Sequence, residues 1–188
     1  MQMQRLTVER KWLAAEGIMA FSLVDPEGRE LPAFTPGAHI TVRVAAPGQP
    51  SLLRTYSLCN GPGERGRYVL GVKREPASRG GSAAMHDVVA VGGTLEISAP
   101  QNHFPLAADA RSHLLLGAGI GITPLLAMAQ QLEADRADYA LHYFARDMEH
   151  VAFRDRLHAG ESARRVHFHL GLDATDTEQR LRALLVTF

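Results

Sequence analysis

The strongest constraint on the fold is a change of hydrophobic rhythm near residue 106. Before it, short runs alternate apolar and polar residues: Leu6 to Arg10, Ile18 to Leu23, His39 to Val44, Leu53 to Leu58, Tyr68 to Lys73 and Thr94 to Ser98. Ile40, Val42 and Val44 show the period of two that puts alternate side chains on one face of a strand. Turn chemistry at Asp25-Pro26-Glu27-Gly28 and Gly61-Pro62-Gly63 separates the runs. Strands at this spacing predict a six-stranded antiparallel β-barrel. After Phe104-Pro105-Leu106 the pattern becomes strand, helix, strand, helix, strand, helix, which is half of a doubly wound parallel sheet. The expected strands are His113 to Leu116, Tyr139 to Ala145 and Val166 to Leu170. Helices are expected after Thr123-Pro124 (N-cap and first-turn proline), over Val151 to His158 with a stop at Gly160, and after a capping box at Thr175-x-x-Glu178. The fold class is therefore β followed by α/β, with one domain over residues 1–106 and a second over 107–188.

Charge excludes some partners. Twenty basic side chains balance 20 acidic ones, giving no electrostatic case for nucleic acid or an anionic membrane surface. Leu114 to Ala129 carries no charge, but it falls short of the roughly 20 apolar residues a membrane span needs, and Gly117, Gly119, Gly121 and Pro124 interrupt it. Cys59 is the only cysteine, so neither a disulfide framework nor an iron–sulfur ligand set is present. The N-terminus runs directly into alternating residues without an apolar signal core, and a cytoplasmic location is expected.

Three stretches carry chemistry. In Leu53 to Asn60 a strand would send Arg54 and Tyr56 to one face and Thr55 and Ser57 to the other, which suits a flat ligand with an anionic tail. Downstream, Ser82 can cap a short helix behind Gly80-Gly81, where a phosphate would meet helix N–H groups; a plain hairpin turn with a serine cap explains the same letters. Gly117-x-Gly119-x-Gly121 lies between a strand and a helix, the setting of a pyrophosphate turn, although it is not the standard Gly-x-Gly-x-x-Gly. Arg146, at a strand end, suits a ribose hydroxyl or a 2′-phosphate, Asp147 suits a ribose, and a solvated arginine is the competing account. His167 and His169 would share one strand face, but no third metal ligand stands at a persuasive spacing, and no hydrolase nucleophile motif occurs.

Arg54-x-Tyr56-Ser57, Arg79-Gly80-Gly81-Ser82 and Gly117-Ala118-Gly119-Ile120-Gly121-Ile122-Thr123-Pro124, in this order, resemble the ferredoxin–NADP reductase superfamily. The chain is most similar to the phthalate dioxygenase reductase and vanillate demethylase reductase group. The resemblance implies FMN, rather than FAD, in the barrel and NADH or NADPH on the α/β domain. It places Arg54, Gly80, Gly81 and Ser82 at the flavin phosphate, Thr55 and Tyr56 beside the flavin, and Ser57 near its N5. It further implies the Val72-Lys73 backbone along the ring, Gly117, Gly119, Gly121, Thr123 and Pro124 at the nicotinamide nucleotide, and Arg146 at its adenosine end. Asn102 matches a family stretch that turn formation also explains, and Cys59 reads as a core filler.

The activity implied is hydride transfer from NAD(P)H to flavin, then electron transfer to a ferredoxin-type or Rieske iron–sulfur acceptor of an aromatic-ring oxygenase or demethylase. The group's usual [2Fe–2S] domain has no possible ligands here, and the last two strands of its nucleotide domain, with a Cys-Gly-Pro motif, are also missing. A fragment, or a piece completed by another chain, is therefore expected. Two other readings stand beside the reductase: a flavin-binding electron-transfer or regulatory subunit without NADH activity, and a ligand-free remnant.

Overall fold

The structure, a computed structural model, describes residues 2–45, 48, 50–77, 80–159 and 163–187. Arg79 and Gly160, named above, lie outside the described residues.

Six strands form one antiparallel sheet: β1 (Met3–Ala15), β2 (Ile18–Val24), β3 (His39–Val44), β4 (Leu52–Ser57), β5 (Tyr68–Lys73) and β6 (Thr94–Ser98), in the order β4-β3-β6-β1-β2-β5. The sheet curls so that its edge strands approach, but it does not close into a continuous barrel. A single bridge, Leu58 to Leu70, joins the two edges, with Cys59 N–H donating to the Val69 carbonyl at 2.8 Å. β1 is longer than its alternation suggested because two register shifts, at Val8/Arg10 and Leu13/Ala15, bend it past breaks in the pattern. The inward row, including Leu6, Phe21, Leu23, Ile40, Val42, Leu70, Val72 and Ile97, forms one core, and Met85 of the short helix α1 (Gly81–Asp87) plugs it.

The second sheet is parallel, in the order β7-β8-β9: β7 (Ser112–Ala118), β8 (Asp138–Ala145) and β9 (Val166–Leu170). Helix α2 (Ile122–Ala134) packs Leu125, Met128 and Leu132 against Leu141 and Tyr143. This core also takes in Ala20, Cys59 and Val69 from the outward face of the first sheet, so one hydrophobic cluster joins the two layers. Helix α4 (Ala174–Thr187) has no buried residue. Among the described residues no helix is long and apolar enough to cross a membrane.

Four local expectations are corrected. Helix α2 starts at Ile122, so Thr123 is inside its first turn and is not its N-cap; the Thr123 hydroxyl donates back to the Ile120 carbonyl at 2.9 Å. Helix α1 starts at Gly81 behind Gly80, whose φ of 90° needs glycine; Ser82, within the helix, accepts from the Glu75 N–H at 3.1 Å instead of capping. The expected helix over Val151 to His158 shrinks to α3 (Arg154–Leu157), because Phe153 takes a left-handed conformation, φ 56°. Asp173, not Thr175, caps α4 by accepting from the Asp176 N–H at 2.8 Å.

Candidate functional site

Two of the motifs approach one another at the seam between the two sheets. At the bridge between Leu58 and Leu70, antiparallel register sets Ser57 level with Gly71. Gly71 has no side chain because the second layer occupies the space: a Cβ there would stand 2.9 Å from the Thr123 methyl and 3.0 Å from the Phe153 ring. Ser57 of β4 and Thr123 of α2 therefore flank one glycine. This contact is possible only because a glycine interrupts an otherwise apolar strand, a signal of close approach.

At the other end of β4, Arg54 reaches α1. A Cβ on Gly81 would be 2.6 Å from the Arg54 Nε and 2.9 Å from its Cγ, so the guanidinium lies over the helix start. Its Nη1 donates to the Leu53 carbonyl at 2.8 Å, and among the described residues no carboxylate pairs with it. Tyr56, two residues on, packs against the inner core, and its buried hydroxyl has no hydrogen-bond partner. Burial pushes that phenol up to about 12 against the opposing field of Arg54. A buried, unsatisfied hydroxyl beside an unpaired guanidinium is an arrangement that a polar, anionic ligand completes. The residues present thus fit a flavin with its phosphate at Arg54. Thr55 is exposed. Val72 turns its side chain into the core and its carbonyl faces the His86 Nε2 at 2.8 Å, while Lys73 points outward.

A cleft of about 780 Å³ opens beyond this seam, between the β1–β2 turn (Glu16, Gly17), the end of β5 (Lys73) and the carboxyl ends of the parallel strands. Ala118, Gly119, Phe144, Arg146 and His169 line its far wall. Ligands of open α/β sheets bind at this end of the strands. The three glycines of the turn do different work. Gly117 gives α2 room, since a Cβ would meet Leu125 Cδ1 at 2.9 Å; Gly119 holds a φ of 49°; Gly121 faces open space. Pro124 sits in the first helical turn. Arg146 is exposed and, among the described residues, has no acidic partner. Asp147, in contrast, is engaged: Oδ1 accepts from the Glu149 and His150 N–H groups at 2.9 and 3.1 Å and faces the His150 ring at 2.7 Å. That contact with His150 holds its carboxyl below the ordinary carboxylate range.

Several residues escaped the sequence reading. Tyr143 donates its hydroxyl to the Gly119 carbonyl at 2.9 Å and accepts from the Ala152 N–H at 3.1 Å, tying the glycine turn to the loop after β8. Burial raises its phenol. In sequence it reads only as a core aromatic. His142 joins the expected pair on β9, stacking on His167 with centroids 4.6 Å apart and placing Nδ1 2.9 Å from the His169 Nε2. Among the described residues no group of three or more His, Cys, Asp or Glu is arranged to hold a metal ion. Asn102 organises a turn, donating to Thr35 Oγ1 at 2.6 Å and the Pro36 carbonyl at 2.8 Å. Cys59 is fully buried and its thiol is pushed up to about 12, as suits a core filler.

The fold and this seam define a flavin-binding oxidoreductase module. Residues 5–105, more than half of the chain, match the family model described as the oxidoreductase FAD-binding domain, and the chain belongs to that family. Among its relatives, the vanillate O-demethylase oxidoreductase of Pseudomonas putida is 49% identical over 155 residues, covering 82% of this chain and 47% of the relative. The phthalate dioxygenase reductase of Burkholderia cepacia is 44% identical over 166 residues, covering 88% and 50% respectively. A solved phthalate dioxygenase reductase, described as a modular structure for electron transfer from pyridine nucleotides to [2Fe–2S], superposes with a TM-score of 0.85 at 43% identity, covering 92% of this chain and 53% of that one. The chain spans about half the length of these relatives.

Proposed function

We propose that this chain is the flavin- and nucleotide-binding core of an oxygenase or demethylase reductase, carrying electrons from NADH or NADPH through FMN to an iron–sulfur acceptor. Residues 1–106 form its flavin domain and 107–188 belong to its nucleotide domain, working in the cytoplasm. The observation that supports the reading is the closeness of Thr123 to Gly71, which the bridge register sets level with Ser57, so that the flavin strand and the nucleotide turn lie against one seam. Similarity to the phthalate and vanillate reductases supports the choice of FMN and of an iron–sulfur acceptor.

When bound, the flavin supplies a hydride acceptor that can release electrons singly. The protein's residues position and exclude. Arg54, with Gly80, Gly81 and Ser82, holds the phosphate, and Thr55 and Tyr56 flank the ring. Ser57 presents a hydroxyl to the reacting edge, beside the Val72-Lys73 backbone. Thr123 and Pro124 close over the nicotinamide, Gly117, Gly119 and Gly121 admit the pyrophosphate, and Arg146 takes the adenosine end. Thr123 and Phe153 against Gly71 keep water out of the seam.

An anaerobic NADH titration of the FMN-loaded chain, followed at the flavin absorbance band, tests the reading. Stoichiometric bleaching is expected. A yellow protein that NADH leaves unbleached would instead mark a flavin-binding subunit without nucleotide activity, and a chain gaining neither colour nor thermal stability with FMN would refute the flavin assignment, since a native-state ligand must stabilise.

A further inference from the structure

A register shift in β1 decides where Lys11 points. Val8 pairs with Leu23 and Lys11 with Phe21, and paired residues of antiparallel strands share a face. Leu23 and Phe21, two apart on β2, both belong to the inner core. Val8 and Lys11 are three apart, and they reach that same face only because the shift between Val8 and Arg10 inserts one extra residue. A regular strand would have sent Lys11 to the opposite face.

The half-buried ammonium lies 5.7 Å from the centre of the Phe21 ring and finds its partners at the end of α1. It donates to the His86 carbonyl at 2.5 Å and to the Val89 carbonyl at 2.7 Å. Carbonyls at the end of a helix have no intrahelical partner, and a cation there also meets the negative end of the helix dipole. Two further ties hold the same end to β5 and the residue after it: His86 Nε2 faces the Val72 carbonyl at 2.8 Å, and Arg74 pairs with Asp87 at 2.6 and 2.8 Å. Arg74 and Asp87 are exposed, and such pairs contribute little, which leaves Lys11 and His86 as the main anchors. With only seven residues, α1 moves both its ends together. The other end carries Gly81, on which the Arg54 guanidinium rests, a Cβ there standing 2.6 Å from Nε. Through Lys11, β1 thus steadies the floor beneath a guanidinium of β4.

We propose that Lys11 is a positioning residue for the flavin phosphate, fixing α1 so that Gly81 supports Arg54, an inference that rests on the flavin reading above. The ammonium works at the far end of the helix, and its influence is confined to the group that Arg54 grips. Removing it takes from FMN the advantage of its phosphate and leaves the seat of the ring alone. Linkage makes the effect reciprocal: a phosphate that needs α1 in place must in turn tighten the hydrogen bonds of Lys11.

The test compares FMN with riboflavin, which carries the same ring without the phosphate, by fluorescence-quenching titration of the flavin-free full chain. Lys11→Met keeps the length of the side chain beside Phe21 and removes the ammonium. It is expected to weaken FMN at least about tenfold and riboflavin less than about twofold. The phosphorus NMR signal of bound FMN should also move in Lys11→Met, which a loss of stability alone would not produce. An affinity ratio of FMN to riboflavin that Lys11→Met leaves unchanged overturns the proposal and leaves the flavin site standing. If Lys11→Met fails to fold, the Lys11 ammonium resonance of the unmodified chain decides: FMN should slow its hydrogen exchange with water and riboflavin should not, and equal exchange with both overturns the positioning role. An unmodified chain that takes up neither FMN nor riboflavin refutes the flavin reading itself, and this proposal with it.

Discussion

Arg54 and Gly81 can be tested as a unit, because the guanidinium rests where a Gly81 side chain would be. If Arg54 holds the flavin phosphate as proposed, Arg54→Ala removes charged hydrogen bonds to it, a loss of about 1.5–3 kcal/mol, or roughly 10- to 150-fold in Kd. Gly81→Ala leaves the arginine in the sequence but puts a methyl 2.6 Å from its Nε, closer than real Cβ atoms come. The guanidinium must swing away, so most of the same affinity should be lost. In Arg54→Ala the methyl finds empty space, and adding Gly81→Ala should change binding little while gaining roughly 0.5–1 kcal/mol of stability from replacing a helical glycine. The two effects on binding should therefore be strongly non-additive. Titrating the flavin-free chain against FMN and following the quenching of flavin fluorescence gives all four constants. Full additivity, or an Arg54→Ala chain with unchanged affinity, would remove the guanidinium from the phosphate site.

Other outcomes follow from the same geometry. Tyr143→Phe deletes a hydroxyl serving both the Gly119 carbonyl and the Ala152 N–H, and should cost about 1–3 kcal/mol in urea unfolding; no loss would mean that the turn is held elsewhere. Gly119→Ala should destabilise by about 1–2 kcal/mol through its φ of 49°, whereas Gly121→Ala, facing open space, should spare stability and weaken only NADH binding in calorimetry. His142 is held neutral, burial first and then His167, His169 and Arg180 pushing it from 6.5 to about 4. Between those values the unfolded chain binds the extra proton, so stability should fall as pH drops from about 6.5 to about 4, and His142→Gln should flatten that slope in unfolding free energies measured across the window.

Strands and motif order were legible because alternation and turn residues are local: β2, β3, β5, β6 and β9 fall where the apolar rhythm puts them. Local rules failed where a distant contact intervened. Phe153 gave up a helical conformation while its ring packed on Gly71 and its N–H reached the Ala14 carbonyl at 3.3 Å. The three glycines before α2 are alike in sequence, yet one admits a helix, one bends the chain and one faces open space. Arg54, Tyr56, Ser57, Gly81 and Thr123 could be nominated from their types and order. Tyr143 could not, because it matters through pairing between segments far apart in the chain, and Gly71 signals a close approach without saying to which segment.

The bare backbone at position 71 makes the joint between the layers a pivot rather than a cushion. A methyl and an aromatic edge rest on the main chain itself, with no long side chain to yield. A Gly71→Ala chain would have to tilt one layer away from the other, and the gap so opened would widen with distance from the pivot. The spacing between the two layers is thus governed by a hydrogen atom where any other residue would carry carbon.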